Sequence, residues 1–130
     1  MAEIVRPPGA RAAESPTVSV VMPAYNAERF ISKAIKSVID QTTSDWELIV
    51  VNDGSTDATE AEARRHEGTK IRVVSQANGG AGHARNTGFT VARGKYLALL
   101  DADDWYEPQH LERTTRFLDD HPDCSLVGTN

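Results

Sequence analysis

From about residue 17 onward, β-branched and apolar segments alternate with segments whose apolar residues recur at helical spacing. The first kind predicts strands, and the second predicts amphipathic helices. Strands are predicted at residues 17–22, 46–51, 71–75 and 96–100, with a fifth beginning at residue 125, and helices at 27–41, 57–66, 81–92 and 107–120. This alternation predicts an α/β fold with a mostly parallel, open, Rossmann-like sheet and helices on both faces.

Local signals set the expected boundaries of these elements. Pro23 is predicted to end the first strand, because proline has no N–H to donate to a ladder. Asn26 is the expected N-cap of the first helix, and Asp57 with Glu60 resembles a capping box at the second. Pro108 is predicted at the first position of the last helix, where a missing N–H costs nothing.

The apolar run at residues 96–100 ends abruptly in three carboxylates, Asp101, Asp103 and Asp104. A continuous apolar strand is buried on both faces, so its charged end is predicted to form a rim. If the chain stays extended, Asp101 and Asp103 lie on one side while Ala102 points away. Two such carboxylates suit a hard divalent cation, Mg²⁺ or Mn²⁺. The alternative is a solvated loop that caps the next helix.

Two other polar loops are expected at the same rim, because each follows a predicted parallel strand. Asp53 can accept the ring N–H of a base such as uracil, or it can be a turn residue that bonds its own backbone. Tyr25 can stack on that base, or it can be an ordinary core or surface aromatic residue.

A glycine-rich turn precedes the third helix, and Arg85 lies in that helix near its start. Backbone N–H groups and the helix dipole favour an anion at such a position, although Arg85 can also be a simple exposed residue. The glycines do not form a dinucleotide fingerprint, because Arg85 occupies the place of the required third glycine.

Composition narrows the class of protein. The chain has 130 residues, enough for one domain, and its net charge of −5 argues weakly against a nucleic-acid binder. Cys124 has no partner for an internal disulfide and is predicted to be a small core residue. No apolar run approaches the roughly 18 residues of a membrane span, so a cytoplasmic or cytosol-facing location is expected. Residues 1–16 are expected to be a disordered leader.

Four motifs in one order resemble the family 2 inverting glycosyltransferases. They are VSVVMPAYN at 18–26, ELIVVNDGSTD at 47–57, ARNTG at 84–88 and LLDADDW at 99–105. The resemblance covers about residues 17–127. It implies that residues 17–130 are the nucleotide-sugar-binding part of a GT-A domain, incomplete at its C-terminal side.

The resemblance also implies roles for individual residues and a reaction. Tyr25 and Asp53 would hold the base, Arg85 would assist near the nucleotide, and Asp101 would lie near the ribose and sugar. Asp103, with Asp101, would bind the Mn²⁺ or Mg²⁺ that bridges the diphosphate. The full set implied for the donor, with a UDP-sugar favoured, is Pro23, Ala24, Tyr25, Asp53, Arg85, Asp101, Ala102 and Asp103. The reaction would be inverting transfer to an acceptor hydroxyl.

The sequence departs from the family in one respect. The family's general base and acceptor elements come from a later segment, expected beyond residue 130. The chain alone is therefore expected to be a truncated domain with little or no transferase activity, and its uncovered sheet edge predicts a homodimer. The alternatives are a non-catalytic nucleotide- or metal-binding module and, with less support, a receiver- or phosphatase-type phosphoryl-transfer domain.

Overall fold

A computed structural model describes residues 2–5, 16–123 and 126–129. The strands are β1 (Ala2–Val5), β2 (Val18–Ala24), β3 (Trp46–Asp53), β4 (Ile71–Gln76), β5 (Tyr96–Leu99) and β6 (Leu126–Thr129). The helices are α1 (Ile31–Ile39), α2 (Thr59–Arg64), α3 (Ala81–Val91) and α4 (His110–Asp120). The predicted fifth strand is β6, while Cys124 and Ser125 lie outside the described residues. None of the helices in this part of the chain has the length and apolar character to cross a membrane.

In the described residues the strands form one sheet in the order β4-β3-β2-β5-β1-β6. The four strands from β4 to β5 are parallel, and β1 is antiparallel to β5 and β6. At the centre of the sheet, Val20 pairs with Leu48 on one side and with Ala98 on the other. The predicted α/β class with a mostly parallel, Rossmann-like sheet is therefore confirmed.

The strand β1 was not predicted. Its four residues were expected to belong to a disordered leader, but they pair with β5 and so cover the edge that β2 leaves open. Ile4 and Val5, whose β-branched type favours strands, pair with Ala98 and Leu97 of β5. Residues 6–15 lie outside the described residues. Pairing of two copies through the remaining edges of the sheet stays a prediction.

The sheet has a core on each face. On one face β2, β3 and β5 pack against α1 and α4, with contributions from Ile35, Leu111 and Leu118. On the other face α3 packs on β2 and β3, and a smaller cluster there includes Ile49 and Ala84. These two layers leave the carboxyl ends of the parallel strands open at one rim.

The strand β2, which is the first of the predicted strands, continues past its predicted end through Pro23 to Ala24. The carbonyl of Val21 accepts a hydrogen bond from the N–H of Leu100 (3.1 Å), so Val21 faces β5. By the twofold period of a strand, Pro23 faces the same side, where β5 has already ended. The missing N–H of Pro23 therefore removes no bond from the ladder.

Three predicted helix starts are wrong in detail. The helix α1 begins at Ile31, and its N-cap is Phe30 rather than Asn26. The helix α4 begins at His110, two residues after Pro108. The capping box is incomplete: Asp57 accepts the N–H of Thr59 (2.9 Å), but α2 has no side-chain N-cap bond. The carbonyl of Ala27 accepts the N–H of Ile31 (2.9 Å) at the start of α1, and Gln41 Oε1 accepts the N–H of Leu111 (2.9 Å) in the first turn of α4.

Candidate functional site

Two adjoining cavities open at the carboxyl ends of β2, β3 and β5. The first, of about 210 Å³, is lined by Pro23, Tyr25, Asn26, Ala27, Phe30, Asp101, Ala102 and Asp103. The second, of about 120 Å³, is lined by Pro23, Ala24, Tyr25, Asp53, Ala81, Ala84 and Asp101. Because Pro23, Tyr25 and Asp101 line both, the two cavities form one cleft. The structure thus brings the predicted rim residues of three strands together.

Tyr25 lines both cavities, while Phe30, the other exposed aromatic residue of the cleft, lines only the first. Tyr25 is 52% exposed, although it directly follows the fully buried strand β2. A buried aromatic residue of the core, one of the alternatives from the sequence, is therefore excluded. The ring is free to stack on a flat ligand that enters the cleft.

Asp53 is only 3% exposed and ends β3 at the floor of the second cavity. Its carboxylate accepts hydrogen bonds from Gln76 Nε2 (3.0 Å), Gly79 N (2.9 Å) and Gly80 N (2.9 Å), with a longer contact from Asn78 Nδ2 (3.4 Å). Burial raises the pKa of Asp53, but these bonds outweigh it and hold the pKa below its ordinary value. Asp53 therefore stays ionised and anchors the loop after β4, rather than a turn of its own.

The acid cluster after β5 forms a turn. The N–H of Asp104 donates to the carbonyl of Asp101 (3.0 Å), so the chain does not stay extended here. The turn still separates these residues as an extended chain would: Ala102 is buried, at 4% exposed, and Asp101 and Asp103 are exposed. Asp101 and Asp103 both line the first cavity.

These two carboxylates match the needs of a cation that is shared with a ligand. Across residues 2–5, 16–123 and 126–129, no three His, Cys, Asp or Glu side chains are grouped as a complete metal site. Mg²⁺ and Mn²⁺ commonly use one or two carboxylates and complete their shells with water and phosphate oxygens. Asp101 and Asp103 fit that arrangement, since both are exposed in one cavity.

Arg85 lies one turn into α3, whose N-cap is Gly80 with φ 97°. The Nε atom of Arg85 is buried and has no hydrogen-bond partner within the described chain. Arg85 lines neither cavity of the cleft. It is neither a fully exposed helix residue nor, in this arrangement, a direct part of the cleft wall.

Sequence reasoning missed two contributors to the site. The segment after β4 was predicted only as a turn, but Gln76 and the Gly79–Gly80 backbone hold Asp53. Asn26 was predicted as a helix cap, but it lines the cleft and bonds the loop after β3. In both cases a polar side chain at the end of a strand could have indicated the site, but its hydrogen-bond partner is distant in sequence.

Comparison with known proteins gives a consistent result. The sequence model described as glycosyl transferase family 2 matches residues 19–130. Putative glycosyltransferase EpsH of Bacillus subtilis is 39% identical over 117 residues, covering 88% of this chain and 34% of the relative. A chondroitin synthase of Escherichia coli is 39% identical over 99 residues, covering 75% of this chain and 14% of the relative. The chain thus spans about a third or less of the length of these relatives.

Solved structures show the same fold over most of the chain. S. aureus TarS 1-349 in complex with UDP-GlcNAc has a TM-score of 0.73 at 31% identity, over 82% of this chain and 32% of that one. The mannosyltransferase PcManGT from Pyrobaculum calidifontis, in complex with GDP-Man and Mn²⁺, has a TM-score of 0.74 at 28% identity. That match covers 86% of this chain and 35% of the mannosyltransferase.

Proposed function

Because the chain belongs to glycosyl transferase family 2, with the fold of a partial GT-A domain, we propose that its cleft binds a nucleotide-diphosphate sugar. The single observation that carries the proposal is the convergence of Tyr25, Asp53 and Asp101 from three strand ends on adjoining cavities. The ligands of the structural neighbours, UDP-GlcNAc in one and GDP-Man in another, support this class of donor.

The base is proposed to lie between Tyr25 and Asp53. The exposed ring of Tyr25 offers a stacking surface, and the ionised carboxylate of Asp53 can accept a ring N–H. Asp53 already accepts three short bonds, so the ligand N–H replaces the long 3.4 Å contact from Asn78. Uracil and guanine both carry a ring N–H and cytosine does not; of the first two, we favour a UDP-sugar.

The diphosphate is proposed to lie beside Asp101 and Asp103. Two exposed carboxylates repel a diphosphate unless a cation is shared between them, so donor binding should require Mn²⁺ or Mg²⁺. When bound, such a cation would neutralise the charge that grows on the leaving diphosphate. Asp103 is proposed as its main ligand, with Asp101 shared between the cation and the ribose and sugar.

Arg85 is proposed to assist near the nucleotide from the first turns of α3. Its buried Nε has no partner among the described residues, and the N-terminus of α3 adds partial positive charge. Both the guanidinium of Arg85 and the N-terminus of α3 would stabilise an anion in the second cavity. A modest shift of the guanidinium is required, because Arg85 does not line the cavity.

For the whole protein we propose transfer of the donor's sugar to an acceptor hydroxyl with inversion. The family resemblance supports this reaction, in which a carboxylate base takes the hydroxyl proton as the oxygen attacks the anomeric carbon. None of the cleft carboxylates is proposed as that base. Incubating the 130-residue chain with several nucleotide sugars and simple acceptors should give little transfer, and robust transfer would contradict this division of roles.

Calorimetry tests the donor site directly. UDP, GDP, UDP-GlcNAc and GDP-Man are titrated into the protein with and without Mn²⁺. The Asp103→Ala variant should lose the Mn²⁺-dependent part of the affinity. The Asp53→Ala variant should weaken the binding of both the uridine and the guanosine ligands, because both bases lose the acceptor of their ring N–H. Asp120→Ala is the matched control, because Asp120 is an exposed carboxylate at the end of α4. Failure of the unaltered chain to bind any of the four ligands with Mn²⁺ would contradict the proposal.

A further inference from the structure

The loop after β2 is tied to the loop after β3 by hydrogen bonds that we call the inter-loop clasp, formed by residues 26–28 and 55–59. Asn26 N donates to Ser55 Oγ (3.0 Å), and Thr56 N donates to Asn26 Oδ1 (2.8 Å). Ala27 N donates to Thr59 Oγ1 (2.7 Å). Asn26 thus contributes both its backbone and its side chain to the clasp.

The backbone of Asn26 is unusual as well. Its φ of 48° is the one positive value at a non-glycine residue within the described ranges. Asparagine tolerates this left-handed conformation better than most residues do. The conformation turns the chain sharply after β2, immediately beyond Tyr25.

The helix α1 begins only at Ile31 and has no side-chain N-cap bond. Local backbone hydrogen bonds join Phe30 and Ile31 to the buried Ala27. Nearer to Tyr25, the inter-loop clasp ties Asn26 to the loop after β3. Because Tyr25 is 52% exposed, the direction of its side chain depends strongly on the backbone around it, where Asn26 turns the chain.

We propose that Asn26 is a positioning residue for Tyr25, which fixes the ring at the junction of the two cavities before a ligand arrives. This inference rests on the proposed function, since Tyr25 is taken to stack on the base. A pre-positioned ring loses less conformational entropy on binding, so weakening the clasp should lower nucleotide affinity through Tyr25. A purely structural Asn26 would affect stability without this dependence on Tyr25.

A double-mutant cycle separates the two roles. UDP affinity in the presence of Mn²⁺ is measured for the unaltered chain, Asn26→Ala, Tyr25→Ala and the double variant. Asn26→Ala should weaken UDP binding about 10-fold in the presence of Tyr25 and have almost no effect in its absence. Asn26→Asp keeps an acceptor and tolerates the same φ, so it should weaken binding by no more than about 3-fold. Equal weakening in both backgrounds would overturn the proposal.

A second measurement does not depend on nucleotide binding. The ring resonances of Tyr25 in the ligand-free protein report its order, and they should change in Asn26→Ala and remain nearly unchanged in Asn26→Asp. Should Asn26→Ala fail to fold, Asn26→Gly relieves the backbone strain and removes only the side-chain acceptor. Unaltered Tyr25 resonances in the variants that lack the acceptor would overturn the inference. If the unaltered chain fails to bind UDP or GDP, the proposed function fails, while the ring resonances still decide the role of Asn26.

Discussion

Strand β3 carries a buried carboxylate near each of its ends, Glu47 near its start and Asp53 at its last residue. Each residue is 3% exposed. Burial raises the pKa of both, but in both cases hydrogen bonds prevail and the pKa lies below its ordinary value. By burial and ionisation alone, the two residues cannot be told apart.

Their surroundings differ. Glu47 accepts bonds from Ser19 Oγ (2.5 Å) and Arg93 N (2.7 Å) and pairs with the guanidinium groups of Arg72 and Arg93 at 3.2 Å. It lines neither cavity of the cleft, whereas Asp53 faces one of them. A buried, ionised carboxylate therefore indicates a ligand site only when it also lines a cleft, as Asp53 does and Glu47 does not.

Glu47→Ala should give the largest effect on folding and none on UDP affinity. The change leaves the buried Ser19 hydroxyl without its acceptor and removes the carboxylate that pairs with the Arg72 and Arg93 guanidinium groups, which should cost about 2–4 kcal/mol of unfolding free energy. Urea unfolding measures it. The control is Glu112→Ala, which removes one partner of an exposed pair with Arg116 and should change stability far less. A loss for Glu47→Ala no larger than the control's would contradict the account.

Gly54→Ala, at the cleft end of the sheet, should lower both the stability of the protein and its affinity for UDP. Gly54 has φ 72°, and an added Cβ would lie 2.6 Å from the backbone N of Asn78. Because that loop anchors on Asp53, the variant should lose about 1–3 kcal/mol of stability and about 10-fold in UDP affinity. Unfolding and calorimetry of the same sample measure both. Unchanged affinity in a destabilised variant would indicate that the loop after β4 has no part in the site.

Gly94→Ala is the matched change at the opposite end. An added Cβ would lie 2.6 Å from the backbone N of Ser19, so the chain beside Glu47 must shift at a cost of about 1–3 kcal/mol. Gly68→Ala, where no atom lies within 4 Å of the added Cβ, serves as the control. Stability of Gly94→Ala should fall while UDP affinity stays constant. An affinity loss equal to that of Gly54→Ala would remove the distinction between the two ends.

Lowering the pH should produce the smallest change in stability, and it should act on both Glu47 and Asp53. Because the folded-state pKa of Glu47 and of Asp53 is depressed, the unfolded chain takes up protons first as the pH falls. Their contribution to stability is present above the ordinary values of 4.5 and 3.8 and is lost as the pH drops through the lower folded values. Unfolding free energies at a series of pH values should show a shallower decline for Glu47→Gln than for the unaltered chain. An identical slope would contradict the assignment.

The features of the fold that follow from the local repetition of apolar and polar residues could be predicted from the sequence. Apolar runs gave the four parallel strands, and polar residues at their ends placed Tyr25, Asp53 and Asp101 at one rim. The strand β1 was missed because its partners in β5 are distant in sequence and antiparallel. The donors to Asp53 lie 23 to 27 residues away, and the inter-loop clasp joins segments about 30 residues apart. The spacing of apolar residues along the chain does not predict such contacts between distant segments.

Chemical-shift mapping of a UDP titration, with Mn²⁺ replaced by diamagnetic Mg²⁺, shows which end of the sheet the nucleotide contacts. If UDP binds in the cleft, the largest amide shifts should occur in four segments around it, and the amides of Glu47, Arg93 and Gly94 should stay unchanged. Those segments are residues 23–27, 53–54, 79–85 and 101–103. Shifts concentrated around Glu47, or spread evenly over both ends of the sheet, would contradict binding in the cleft.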